Sequence, residues 1–386
     1  MQRAKIKALI KTIVALTIVL LVVHSTFVLA QIASRKVLSS FPWEAFLAST
    51  QIVHKAGDSL KSQERLRGAM ISPQVTATDL ETLGRQWKAN HVRWQLLWDG
   101  YPFSSADRGD LKAYDAWLTK ALTHLDQLLA TCEQSGLKVL IDLHTPPGGR
   151  SRDLNFRLFQ EQKFQDAFLQ VWNLIAHRYR GNKTIWGYDL LNEPAEGMVR
   201  MGLMNWHELA KHAAKNIRAI DQQHAIVVEP IWATPTALKD LKPLPIPGVV
   251  YSVHMYEPLH FTHQGFGGRP SGVFYPGKID NQFWDKQQLQ RVLQSVVDYQ
   301  RQYGVRIYVG EFSAIRWAPK DSAYNYLHDL IEIFEQNGWD WAYHAFREWN
   351  GWSVEHTSNQ QDQKPSMTMT NRERLLKTWY AKNSQH

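Results

Sequence analysis

The sequence predicts an α/β fold, a single catalytic domain closed as a (β/α)8 barrel, on three observations. From Arg67 onward, eight short apolar runs alternate with longer amphipathic stretches. The runs are continuously apolar rather than alternating, as strands of a parallel sheet covered by helices must be. The 386 residues also suit one barrel of roughly 250 residues with a leader and loop insertions. An open doubly wound sheet would need a G-x-G-x-x-G turn after its first strand, and none is present.

The predicted strands, in order, are GAMIS at 68–72, HVRWQL at 91–96, KVLIDL at 138–143, IWGYDLL at 185–191, AIVVEP at 225–230, VVYSVHMY at 249–256, RIYVGEF at 306–312 and WAYHAF at 341–346. Between them lie helical patterns such as KFQDAFLQVWNLIAHRYR and AYNYLHDLIEIFEQNG. Gly136, Gly304 and Gly338 follow the last apolar positions of three helices, where glycine ends a helix most easily. The domain is expected over 66–386. The segment after the sixth strand, EPLHFTHQGFGGRPSGVFYPG at 257–277, is too long for a turn and reads as one wall of a substrate cleft.

Residues 1–30 read as an address label. A basic start, an apolar stretch (TIVALTIVLLVV) and small residues up to Ala30 have the order of a secretory signal peptide cleaved after Ala30. The alternative is an uncleaved anchor over 12–30. Either outcome exports the remainder, to the periplasm or the exterior. Residues 31–65 read as a lead-in beneath the barrel. The formal charge is +8, but Arg3, Lys5, Lys7 and Lys11 supply half of it, and no dense basic run follows. Nucleic acid is therefore excluded as a partner. Cys132, the single cysteine, sits in an apolar helical pattern and reads as a small buried residue. Core and loop packing accounts for most of the 16 tryptophans, but so many also invite a surface of aromatic platforms. Flat rings suit the C–H faces of sugars.

In such a barrel the active site forms at the C-terminal ends of the strands. Here those ends carry Arg93, Asp142 and His144, Asn192 and Glu193, Glu229, His254 and Tyr256, Glu311, and then Arg347, Glu348 and Trp349. Packing alone seldom places so many ionisable groups there. The chemistry they suit is retaining glycoside hydrolysis, which needs two carboxyl groups about 5–5.5 Å apart across the scissile bond. Glu193 and Glu311 are the candidate pair. Arg93 and Tyr256 would hold one of them ionised, and His144 and His254 would bond sugar hydroxyls or tune the acid. Glu229 is a rival carboxylate whose expected role is structural or in substrate contact. Trp98, Asp99, Trp232, Trp317 and Trp352 are further candidate sugar contacts.

GYDLLNEP at 187–194 and YVGEF at 308–312 resemble the two signatures of glycoside hydrolase family 5, the cellulase-type family of barrel enzymes. The resemblance spans residues 67 to about 356. It implies Glu193 as acid/base, Glu311 as nucleophile, Asn192 on the sugar 2-hydroxyl, and Arg93, His144, His254 and Tyr256 in the remaining positions. Many relatives end the eighth strand in a tryptophan that stacks under the sugar. This chain departs there, reading Ala345-Phe346-Arg347-Glu348-Trp349. Trp349 is the nominated platform, with Phe346 as the alternative.

The expected activity is an endo-β-1,4-glucanase. Alternatives are the same chemistry on β-mannan, xyloglucan or a short β-oligosaccharide, and a non-catalytic carbohydrate-binding barrel. No His-x-His, H-E-x-x-H, P-loop or G-x-S-x-G occurs, so no metal and no cofactor are expected. The expected partner is a polysaccharide or oligosaccharide, with a membrane involved only through an uncleaved N-terminal segment and the protein acting as a monomer.

Overall fold

The computed structural model describes residues 64–98, 109–151 and 153–385. The chain divides into two compact units, Met1–His54 and Lys55–His386, and every described residue belongs to the second. The leader expected at 1–30, nearly all of the lead-in and Asp99 lie outside the described residues. Among the described residues no helix is long and apolar enough to cross a membrane.

Eight parallel strands close into a barrel in sequential order. They are β1 (Arg67–Ile71), β2 (His91–Gln95), β3 (Lys138–Asp142), β4 (Ile185–Asp189), β5 (Ala225–Val228), β6 (Val249–Met255), β9 (Arg306–Phe312) and β10 (Asp340–Phe346). Each matches one predicted strand to within a few residues. The excursion after β6 holds an antiparallel hairpin, β7 (Gly277–Ile279) and β8 (Gln282–Trp284).

The helices are α1 (Ala77–Glu81), α2 (Leu111–Gln134), α3 (Gln162–Tyr179), α4 (Trp206–Ile220), α5 (Leu259–Thr262), α6 (Lys286–Tyr303), α7 (Ser322–Asn337) and α8 (Asn371–Tyr380). Their ends follow local chemistry. Asn205 and Glu208 form a reciprocal capping box on α4. Gly304 and Gly338 close α6 and α7 in the left-handed conformation, at φ 63° and 78°. Two expectations change. The first predicted helix passes after Glu81 into a π-helical turn, Thr82–Gln86. The fifth strand–helix unit has no α-helix, only 3₁₀ turns over Ile231–Ala233 and Pro235–Asp240. Prolines at 230, 235, 243, 245 and 247 remove the donors a helix there would need.

Apolar packing divides into two clusters. The larger fills the layer between sheet and helices, with Trp172, Trp206, Trp339 and Trp341 fully buried. The smaller joins Leu66, Leu140, Trp186, Ala225, Val227, Val250, Tyr308 and Ala342, residues of the strands' inward faces. Inner-face positions nearer the strand C-termini switch to polar residues, and there the site forms.

Candidate active site

Arg93 is the hub. Its guanidinium is fully buried, yet every nitrogen is engaged: Nε with Asp189 (3.0 Å), Nη1 with Glu311 Oε1 (2.7 Å), and Nη2 with Asn192 Oδ1 (3.1 Å), Glu229 Oε1 (3.0 Å) and Asp142 Oδ1 (3.1 Å). Sequence separations of up to 218 residues thus converge on one side chain. Four carboxyl groups around one buried guanidinium exceed its charge. Burial, then the neighbouring Glu229 and Asp142, push Asp189 well above the usual carboxyl range, and Arg93 offsets this only in part.

Glu311 is buried on β9 with both oxygens occupied. Oε1 accepts from Arg93. Oε2 accepts from Tyr256 Oη at 2.9 Å and lies 3.1 Å from His344 Nδ1. Burial opposes its charge. The cations His254 and His344, the His344 hydrogen bond and Arg93 outweigh burial and hold the carboxyl well below its ordinary value. Tyr256 moves the other way: burial and then the charges of Glu311 and Glu193 raise its phenol, so it stays a neutral donor. His344 is pushed up to about 10, because Glu311 and Glu348 on its two sides outweigh its burial.

Glu193 differs from its partner. Its side chain is 24% exposed against 5% for Glu311. It sits just past β4 with φ at 43°, a left-handed conformation that costs a non-glycine residue about 1–3 kcal/mol. Glu229 helps to hold it there, accepting the Glu193 backbone N–H at 2.7 Å through Oε2. His254 links the three acids, with Nδ1 3.0 Å from Glu193 Oε1 and 3.7 Å from Glu311 Oε2, and Nε2 3.0 Å from Glu229 Oε1. Burial disfavours its charge, but Glu229, Glu311 and the two hydrogen bonds raise it well above the usual histidine range. With a carboxylate at each nitrogen, the ring acts as a double donor. One oxygen each of Glu193 and Glu311 and one nitrogen of His254 lie within 4.8 Å of one another. That set could hold a divalent cation by distance, as could His328, Asp329 and Glu332 on α7. At the first set, both ring nitrogens of His254 are already spent on carboxylates, which leaves no lone pair for a metal.

Every residue singled out at the strand ends falls in or beside this network except Arg347, which pairs with Asp79 and Glu355 at the surface, and Trp349. His144 is oriented by Asp142 (Nδ1 to Oδ2, 2.8 Å). Trp349 instead joins an aromatic group beyond it, with ring centroids 5.0 Å from Phe266, 5.5 Å from Trp352 and 6.0 Å from Trp317. Trp352 carries this group back to Tyr256 and His344, each at 6.0 Å. Phe266 belongs to the long segment after β6, so that segment does border the site. Phe346 is buried edge-on against Trp87, and Trp98 is buried against Trp117 and Tyr114. Neither offers a face to a ligand. Trp232 is 40% exposed beyond β5.

His344 and Asp189 escaped the sequence reading. Alternation was the available signal for His344: Ala342 faces the barrel interior, so two residues further along the same face is His344. It, and not an indole, stands against Glu311.

Residues 53–350 match the cellulase family, glycosyl hydrolase family 5. Endoglucanase C of Acetivibrio thermocellus is 26% identical over 291 residues, covering 68% of this chain and 81% of that one. Among solved structures, a glycoside hydrolase superposes with a TM-score of 0.63 at 21% identity, covering 83% of this chain and 99% of its own. Thermotoga maritima Cel5A with mannotriose superposes at 0.62 and 22% identity, covering 82% and 98%. The chain belongs to glycosyl hydrolase family 5, the cellulase family, and is a glycosidase that hydrolyses O-glycosyl bonds.

Proposed function

We propose that the protein is an endo-acting β-1,4-glucanase that cleaves with retention of configuration, using Glu311 as nucleophile and Glu193 as acid/base. The observation that carries this is the carboxyl pair itself. An oxygen of each lies within 4.8 Å of the other, near the separation a retaining enzyme uses and short of the roughly 6.5–9.5 Å that an inverting one needs for a water between its carboxyls.

In the first step Glu311 attacks the anomeric carbon while the leaving oxygen takes a proton from Glu193. The acid's Oε1 is 3.0 Å from His254 Nδ1, which orients it. In the second step Glu193 removes a proton from water, which attacks the glycosyl–Glu311 ester and releases the sugar with its original configuration. A nucleophile must be ionised and its partner protonated in the ground state. The cations around Glu311 supply the first condition. Asn192 gives its oxygen to Arg93, which turns its amide N–H groups toward a sugar hydroxyl. The aromatic group of Phe266, Trp349 and Trp352 and the exposed Trp232 are suited to line neighbouring sugar subsites. The glucan reading draws on relatives such as Endoglucanase C.

Reducing-sugar release from a panel of cellulose, mixed-linkage glucan, mannan and xyloglucan tests the substrate. Proton NMR of the first-formed anomer tests the mechanism. A first product of inverted configuration overturns the roles given to both glutamates, and preferential release from mannan overturns the glucan assignment alone.

A further inference from the structure

A cavity of about 250 Å³ opens between the loops that follow β9 and β10, outside the candidate active site. Its lining includes Arg316, Lys320, Arg372 and the single acid Asp321, together with hydroxyls such as those of Ser366 and Thr368. None of these belongs to the carboxylate network.

The two arginines are anomalous. Arg316 is 1% exposed and Arg372 4%. Their hydrogen bonds go to backbone carbonyls alone, from Arg316 to Thr357, Asn359, Gln360 and Asp362, and from Arg372 to Ser353 and His356. Nε of Arg316 is buried with no hydrogen-bond partner. Among the described residues neither guanidinium forms an ion pair with a carboxylate. The Asp362 side chain is tied to Thr357 and Asn359 instead. A buried charge without a counter-charge is costly.

Helix position sharpens the point. Arg372 is the second residue of α8, whose N-cap is Thr370. The positive end of a helix disfavours a cation and favours an anion. α7 begins at the same cavity. Its N-cap Asp321 makes no side-chain bond into the first turn, accepting from Asn371 Nδ2 at 2.8 Å instead. Three cations, two helix N-termini and hydroxyl donors thus meet where one carboxylate is the only negative lining group. Barrels of this topology often bind phosphate at the loops after their seventh and eighth strands, beside a helix N-terminus.

We propose that this cavity binds a phosphate group, with Arg316, Lys320 and Arg372 as its counter-charges. The group is either free inorganic phosphate or the ester phosphate of a sugar, and the volume leaves room for more than one small ion.

The test is isothermal titration of the full chain with sodium phosphate, against sodium chloride at equal ionic strength. The expected result is one saturable site with a Kd of about 1 mM or tighter for phosphate only. Arg372→Gln is expected to abolish binding. Because that side chain is buried, Lys320→Glu, at an exposed position, gives the decisive second arm: affinity falls about tenfold or more while polysaccharide hydrolysis is unchanged. A hexose phosphate that binds more tightly than inorganic phosphate identifies the ester as the ligand, and equal or weaker binding identifies the free anion. No saturable phosphate binding, or unaltered affinity in Lys320→Glu, overturns the proposal.

Discussion

Glu229 offers the sharpest test of how the site is held together. It accepts hydrogen bonds from Arg93, His254 and the backbone of Glu193. Glu229→Gln preserves the shape and removes one acceptor oxygen and the charge. The amide oxygen can serve Arg93 and His254 or the Glu193 N–H, not both, so one buried donor is orphaned at about 1–3 kcal/mol. If the lost bond is to Glu193, the conformation at φ 43° loses a support against strain of about 1–3 kcal/mol. Movement of a reacting group by about 1 Å costs on the order of 10²-fold in rate. The charge change acts on titration. Glu229 is the largest influence raising His254, and His254 is the largest influence lowering Glu311. Neutralising Glu229 therefore lowers the histidine and raises Glu311. kcat/KM measured from pH 3 to 9 on a soluble cello-oligosaccharide should fall by about 10²-fold, mainly in kcat, with its acid limb moved to higher pH. A loss of rate with an unmoved acid limb would mean a merely structural role, and a kcat/KM within about threefold of the parent would refute the reasoning outright.

Glu311→Ala should lower kcat by at least about 10³-fold while leaving the melting temperature near that of the parent, as read by a soluble-glucan assay and calorimetry. His344→Phe removes a cation from beside Glu311, so the acid limb of kcat/KM should again move up. Because His344 rises from 6.5 to about 10, its contribution to stability is full below pH 6.5 and is lost as pH rises to about 10, and urea unfolding across that window should be flatter in the variant. Gly310→Ala places a Cβ 2.8 Å from Ser252 Oγ and 3.0 Å from His254 Nε2, and should cost about 1–3 kcal/mol of stability with a larger loss of activity as His254 shifts. Prolonged treatment with a chelator should leave hydrolysis unchanged, since His254 has no nitrogen free for a metal.

Much of the barrel was legible because its strands obey local rules. Each is a short apolar run, and two of the glycines expected to end helices, Gly304 and Gly338, are left-handed caps. The fifth unit departs from the repeat because five prolines from 230 to 247 remove the donors of a helix. The π-helical turn at Thr82–Gln86 had no visible signal beyond Gly84, where a Cβ would lie 2.3 Å from the Ser135 carbonyl oxygen. That contact joins residues far apart in sequence, and periodicity does not report it.

The site divides along a different line. Residues whose chemistry is individual, such as Glu193 in its Asn-Glu-Pro context or Tyr256 at a strand end, could be picked out one at a time. What could not be read is the collective property, which is charge balance. Arg93, His254 and His344 are the cations, and Asp142, Asp189, Glu193, Glu229, Glu311 and Glu348 are the acids beside them. Six acids against three cations in a largely buried volume cannot all ionise. Some must keep a proton, and the geometry apportions it. Asp189, with burial and two acidic neighbours against it, is driven toward its neutral form, and Glu311, ringed by all three cations, is driven toward its charge. Sequence gives each of these groups the same letter whichever side of that division it falls on. Only the distances to Arg93, His254 and His344 separate a carboxyl held ionised from one that supports the hub, and for Glu229, whose expected role is structural or in substrate contact, they favour the structural one.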